Sequence, residues 1–174
     1  LVHGASGGVG MAAVDIGKLL GAIVIATGGS DAKLQRVLAY GADHVINTEL
    51  GFHEQVKALT GGRGADVVFD PVGGDIFDES TRCINFDGRL LIVGFTSGRI
   101  ASVPTNIPLI KGFSIVGVRA GEYGRQFPKE GAKNLQTIWD WVREGKTRPH
   151  VHAELPLSQS VEGFRMLQQR EVIG

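Results

Sequence analysis

Four glycines crowd the first ten residues, Leu1-Val2-His3-Gly4-Ala5-Ser6-Gly7-Gly8-Val9-Gly10. Their spacing suits one kind of chemistry, the cradling of a dinucleotide pyrophosphate. Glycine lets the backbone turn tightly and lets a phosphate approach without meeting a Cβ. A helix beginning at such a turn offers unpaired N–H groups and the positive end of its dipole. Gly7 and Gly10 take the last two positions of the G-x-G-x-x-G fingerprint. Counted from Gly4, Ser6 stands where the second glycine belongs. The candidate pyrophosphate residues are therefore Ser6, Gly7, Gly8, Val9 and Gly10. A glycine motif acquires meaning only between a strand and a helix.

A second group bears on which dinucleotide is held. NAD-binding domains place an Asp or Glu about 20 residues beyond the glycine turn, on the ribose 2′-hydroxyl. Here the corresponding stretch is Ala26-Thr27-Gly28-Gly29-Ser30, with no acid. Ser30 and Lys33 suit a 2′-phosphate, which a carboxylate would repel. The expected cofactor is NADP(H). Asp31 argues the other way, since it stands close enough to hold a 2′-hydroxyl; its plainer role is to favour a helix N-terminus. Lys33 likewise has a plainer role as a solvated charge.

Other reactive residue types lack the company that chemistry needs. His150-Val151-His152 puts two imidazoles on one face of an extended chain, half of a metal site. No third and fourth ligands lie nearby in sequence, so no metal is expected. Cys83 has no base indicated and reads as a small buried residue. His3 and His44 read as structural. No catalytic residue can be assigned.

The elements that must position these groups alternate along the chain. Leu1–His3 is a first strand, and Val9, Ala12, Ala13, Ile16 and Leu20 form the buried stripe of a helix ending at Gly21. The apolar run 22–27 suits a central parallel strand. Ser30 caps a helix to about Ala39. Strands follow at 43–46, 66–70, 90–93 and 113–118. Helices are expected at 52–59, 75–83 and 128–144, the last with Ala132, Leu135, Ile138, Trp139 and Val142 as its stripe. Residues 99–112 and 121–125 read as irregular. This pattern predicts an α/β Rossmann fold, a doubly wound six-stranded parallel sheet of order 3-2-1-4-5-6 with helices on both faces. Residues 1–145 form that dinucleotide-binding domain. In 146–174, a strand over 150–157 and a helix with Val161, Phe164 and Leu167 return toward a catalytic domain outside this sequence, so the chain is expected to be a fragment.

Composition narrows the partners. The 174 residues carry 18 Lys plus Arg against 18 Asp plus Glu. This balance disfavours nucleic acid or an anionic membrane surface. No apolar run approaches the roughly 18 residues of a membrane span. One cysteine excludes an internal disulfide and suits a reducing, cytoplasmic compartment.

The segments VHGASGGVG, GADHVIN, GGRGADVVFDPVGG, GRLLIVGFTSG and NIPLIKGFSIVGV, in this order, resemble the zinc-independent quinone oxidoreductase branch of the medium-chain dehydrogenase/reductase family. The resemblance runs over nearly the whole chain. It implies NADPH-dependent hydride transfer to a quinone or activated enone, in a homodimer paired through the strand at 113–118. It also implies that the fragment alone is inactive. A non-catalytic NADPH-binding module and a fragment of a zinc-dependent alcohol dehydrogenase are the alternatives. Family members often place a tyrosine after the GADHVIN pattern; this chain has Thr48 there, with Asn47 left to face the ribose. The nicotinamide end is expected along Pro71 and Val72 on one side and Val93, Gly94, Phe95 and Thr96 on the other.

Overall fold

The computed structural model describes residues 1–147 and 149–174. Helix α1 (Gly8–Leu19) leaves the glycine turn directly. Strand β1 (Ile25–Gly28), helix α2 (Asp31–Tyr40), strand β2 (His44–Asn47) and helix α3 (His53–Leu59) follow. Strand β3 (Ala65–Asp70), helix α4 (Gly74–Ser80) and strand β4 (Ile84–Ile92) come next. The later elements are α5 (Asn106–Lys111), β5 (Ser114–Gly117), α6 (Ala120–Gln126), α7 (Pro128–Arg143) and α8 (Ser160–Gln168).

All strand pairs are parallel: β1 with β2, β3 with β4, and β4 with β5. The fold is thus Rossmann-like α/β. The sheet differs from the expected six strands, because five strands form a two-stranded and a three-stranded sheet among the described residues. Val2 bridges the two. Its N–H donates to the Ile25 carbonyl at 2.8 Å and its carbonyl accepts from Thr27 N–H at 2.8 Å. On the other side His3 N–H donates to the Phe69 carbonyl at 3.0 Å. Gly4 then turns away at φ +57°, which leaves Leu1–His3 too short for a ladder of its own.

Strand alternation sends neighbouring residues to opposite faces. Ile25 joins one buried cluster, with Ile46, Phe52, Val56, Val68, Phe77, Leu90 and Phe113. Val24 and Ala26 join the other, with Val2, Ala5, Val14, Val37 and Ala42. Both faces of the strand layer are therefore covered, as parallel sheets require.

Several expected elements are corrected. The buried face of α1 is Gly10, Met11 and Val14, while Val9 and Leu20 are exposed. Close packing of Gly10 on the turn sets that rotation. Strand β1 starts at Ile25, and Ile23 is exposed. Strand β4 begins at Ile84, six residues earlier than the apolar run suggested, because Ala65 pairs with Ile84 before the register shifts. Residues expected to be irregular contain α5 and α6. The span 150–157 holds no strand. The apolar stripes of α7 and α8 are left open: Leu135, Ile138, Trp139, Val142, Val161, Phe164 and Leu167 are all exposed.

Candidate functional site

The glycine turn is built around groups that protein does not satisfy. Gly7 is the N-cap residue of α1, in extended conformation, with no capping side chain and no acid in the first turn. Its N–H donates to the Gly4 carbonyl at 3.1 Å, and its own carbonyl accepts from Met11 at 2.8 Å. The N–H groups of Gly8, Val9 and Gly10 find no acceptor among the described residues. Three free donors at the start of a 12-residue helix make a place for an anion. Gly10 has a separate reason to be glycine. A Cβ there would lie 2.3 Å from the Gly4 carbonyl oxygen and 2.6 Å from the Ala5 Cα.

A buried brace holds this turn. His3, fully buried, lies between Thr27 at the end of β1 and Ser80 at the end of α4. The Ser80 hydroxyl donates its one proton to the Ile76 carbonyl at 2.7 Å. His3 Nε2–H must then donate to Ser80 Oγ (2.8 Å), and the Thr27 hydroxyl to His3 Nδ1 (2.7 Å). It is burial that keeps the ring neutral, pushing its pKa from 6.5 down to about 3, and so leaves Nδ1 to accept from Thr27. Ala5 N–H donates to the Thr27 carbonyl at 3.0 Å, so one residue braces both His3 and the turn.

The carboxyl ends of β3 and β4 bring the other expected residues together. Asp70, buried, accepts the N–H groups of Val72 (2.8 Å) and Gly73 (2.9 Å) through Oδ1. Burial raises its pKa, against the opposing pull of those two bonds. This Asx-type turn fixes Pro71 and Val72. Val93 N–H donates to the Asp70 carbonyl at 2.9 Å, and Thr96 N–H to the Pro71 carbonyl at 3.1 Å. Pro71, Val72, Val93, Gly94, Phe95 and Thr96 therefore form two loops bonded to each other. Val72 Cγ2 would lie 3.3 Å from a Cβ on Gly4, which ties these loops to the glycine turn.

At the end of β1, Ser30 is the N-cap residue of α2, but its side chain makes no capping bond. Asp31 accepts from Asn47 Nδ2 at 2.8 Å, and Asn47 Oδ1 accepts from Glu49 N–H at 3.0 Å. Asn47 is thereby bound to Asp31. Lys33 Nζ donates to the carbonyl of Val172 at 2.9 Å and to that of Arg170. Gly174 N–H donates to the Ser6 carbonyl at 2.9 Å. Ser6 and Lys33 are thus joined through the last five residues of the chain.

These features coincide with a family assignment. Residues 8–138 match the family model described as zinc-binding dehydrogenase. Quinone oxidoreductase-like protein 2 of Bos taurus is 38% identical over 176 residues, which cover 100% of this chain and 50% of that protein. The chain belongs to the medium-chain dehydrogenase/reductase family, in its quinone oxidoreductase-like branch. Solved members of that family share its fold. Escherichia coli quinone oxidoreductase complexed with NADPH superimposes with a TM-score of 0.87 at 31% identity, over 99% of this chain and 54% of that one. CurK enoyl reductase gives 0.83 at 27% identity, over 99% and 51%. The chain spans about half the length of the relatives it matches.

The remaining reactive residues of this family member are placed plainly. Cys83 is buried, and burial pushes its thiol up to about 12, the state of an inert thiol. His152 Nδ1 accepts from Ile173 N–H at 3.4 Å. Among the described residues, no three His, Cys, Asp or Glu side chains cluster as metal ligands. No helix among them is long and apolar enough to cross a membrane. His3 is structural, as expected, though its partners Thr27 and Ser80 were not foreseeable from spacing; the roles of Asp70 and Glu79 escaped sequence reasoning. Glu79 Oε1 accepts Phe52 N–H (2.6 Å) and His53 N–H (2.9 Å), and so caps α3 from a distance. Only Asp70 carried a local signal, the Asp-Pro-Val-Gly turn pattern.

Proposed function

We propose that this chain is the NADP(H)-binding domain of an oxidoreductase that passes hydride to a quinone or activated enone. The observation that carries the reading is the uncapped glycine turn, with three free N–H groups, beside an acid-free end of β1 that presents Ser30 and Lys33. The residues fit the cofactor. Ser6, Gly7, Gly8, Val9 and Gly10 would hold the pyrophosphate, Ser30 and Lys33 the 2′-phosphate, and Asn47 the ribose side. Pro71, Val72, Val93, Gly94, Phe95 and Thr96 would flank the nicotinamide. The cofactor carries the hydride, and the chain binds and orients it. The kinship with CurK enoyl reductase supports the enone side of the substrate class.

Residues 1–145 form the cofactor domain, and 146–174 lead toward a second domain that completes the cleft. The open stripes of α7 and α8 are surfaces for that domain to cover. The edge strand β5, with Val116 exposed, suits pairing with a second copy across 113–118. A cytoplasmic setting suits the single buried thiol. The substrate assignment is tested by assaying the full-length protein with NADPH against a panel of quinones and enones. Stoichiometric NADPH consumption and substrate reduction are expected, with no turnover by the 174 residues alone. Tight NADPH binding without turnover on any member would make it a non-catalytic module instead. Sedimentation of the full-length protein at micromolar concentration should show a dimer, and a monomer throughout would remove the β5 pairing.

A further inference from the structure

Asp70 does more than shape its own turn. It ends β3, buried, and it is bonded to both loops assigned to the nicotinamide. Its side chain accepts the Val72 and Gly73 N–H groups through Oδ1. Its backbone carbonyl accepts the N–H groups of Val93 at 2.9 Å and Gly94 at 3.3 Å. One residue thus holds the first loop by its carboxyl group and the second by its main chain.

The two sets of bonds depend on each other. In a continuing strand, successive carbonyls point to opposite sides. Here the successive residues Pro71 and Val72 both accept from the second loop, from Thr96 N–H at 3.1 Å and Ser97 N–H at 3.0 Å. The chain must bend there, and the Asp70 side chain makes the bend. The loops then lie too close for intervening side chains. A Cβ on Gly94 would stand 3.0 Å from the Pro71 carbonyl oxygen, and one on Gly73, at φ +70°, 3.2 Å from Phe95 Cδ1. The pyrophosphate donors are braced separately, by Thr27 and His3. From this we infer that Asp70 is a positioning residue for hydride transfer: by accepting two N–H groups it fixes both nicotinamide-flanking loops in one arrangement, and so governs the orientation of the ring more than the affinity for the cofactor. The inference rests on the cofactor reading proposed above.

Asp70→Ala and Asp70→Asn in the full-length protein test it. Fluorescence gives the NADPH affinity and the emission and anisotropy of the bound nicotinamide. Hydride transfer is followed in a single turnover at saturating NADPH, with an acceptor from the quinone and enone panel. Asp70→Ala should bind NADPH within about threefold of the unchanged protein, since it keeps the pyrophosphate and adenosine contacts. Its emission at saturation should move toward that of free NADPH, and its transfer rate should fall about hundredfold, the cost of a misplacement of about 1 Å. Asp70→Asn keeps an oxygen able to accept both N–H groups, and should hold the rate within about fivefold of the unchanged protein. Unchanged emission and rate in Asp70→Ala overturn the inference, as does a loss in Asp70→Asn equal to that in Asp70→Ala. Both outcomes leave the cofactor reading standing, whereas an unchanged protein that binds no NADPH removes that reading and the inference with it. Where no acceptor is reduced, the emission alone decides. If Asp70→Ala does not fold, Asp70→Ser takes its place, because its hydroxyl makes the same turn more weakly. Its emission should then lie nearer to free NADPH than that of Asp70→Asn, and equal emission contradicts the inference.

Discussion

Gly10→Ala is expected to lower the unfolding midpoint by about 6–12 °C, the shift that roughly 3 kcal/mol produces in a chain of this size. The cause is backbone, not side-chain, collision. The new Cβ would meet the Gly4 carbonyl oxygen at 2.3 Å and the Ala5 Cα at 2.6 Å. Neither is the movable end of a flexible side chain. Relief requires α1 to move off the turn, which also displaces the three free N–H groups at its start. NADPH affinity should therefore fall with stability, by at least about tenfold, because the anion contacts depend on aligned donors. Gly7→Ala is the matched control. Its Cβ would lie 3.6 Å from the Gly4 carbonyl oxygen, an ordinary contact, and φ there is −87°. It should leave the midpoint within a few degrees. Thermal scans of both variants, with equal shifts, would refute this account of the turn.

Acid should unfold the chain in a window set by His3. Its folded pKa is about 3 against 6.5 in the unfolded chain. Below pH 6.5 the unfolded chain binds a proton that the folded chain refuses. Stability then falls as pH falls, by about 1.4 kcal/mol per unit until the folded value is reached. Another group acts in a neighbouring window. The Leu1 ammonium, buried and bonded to the Val67 carbonyl at 2.8 Å, is pushed from 8.0 down to about 6. It contributes a loss between pH 8 and 6, while Asp70, whose pKa burial raises, binds its proton in the folded chain first and opposes the His3 slope toward lower pH, so the comparison with His3→Gln isolates His3. Glu79 and Asp43, whose pKa values are lowered, lose their stabilising contribution only as the carboxylates protonate. Urea unfolding at pH 6, 5.5 and 5 should give this slope, and His3→Gln should flatten it by one proton while costing stability at pH 7. A slope that persists undiminished in His3→Gln would assign the acid sensitivity elsewhere.

The sequence showed the cofactor-binding architecture where local signals were strong. The glycine turn, the Ser30 cap position, α2, α3, β2, β3 and α7 all stand where residue pattern places them. The misses have two causes, partners distant in sequence for β4 and backbone constraints that apolar spacing does not register for α5 and α1. Strand β4 extends back to Ile84 through Asn85, Phe86 and Asp87, a stretch with no strand signature; pairing of Ala65 with Ile84 and the Asn85–Asp66 bond at 2.6 Å form it. Helix α5 forms despite Pro108, because a proline near the start of a helix removes an N–H that has no intrahelical partner. The face of α1 was misjudged because apolar spacing ignores what Gly10 must touch. Val9, expected in the stripe, is instead exposed beside the free donors. In the site itself, residue types indicated Lys33 but not its tail partners, and His3 looked like any strand residue until Thr27 and Ser80 closed around it.

The central claim is that this chain holds NADP(H) at the glycine turn and distinguishes it from NAD(H) at Lys33. Fluorescence titration of the 174-residue chain with NADPH and NADH under identical salt tests it most directly. The account predicts NADPH binding about tenfold tighter than NADH, a difference on the scale of one charge-assisted contact to the 2′-phosphate. NADH binding as tightly as NADPH, or no saturable binding of either, would contradict it.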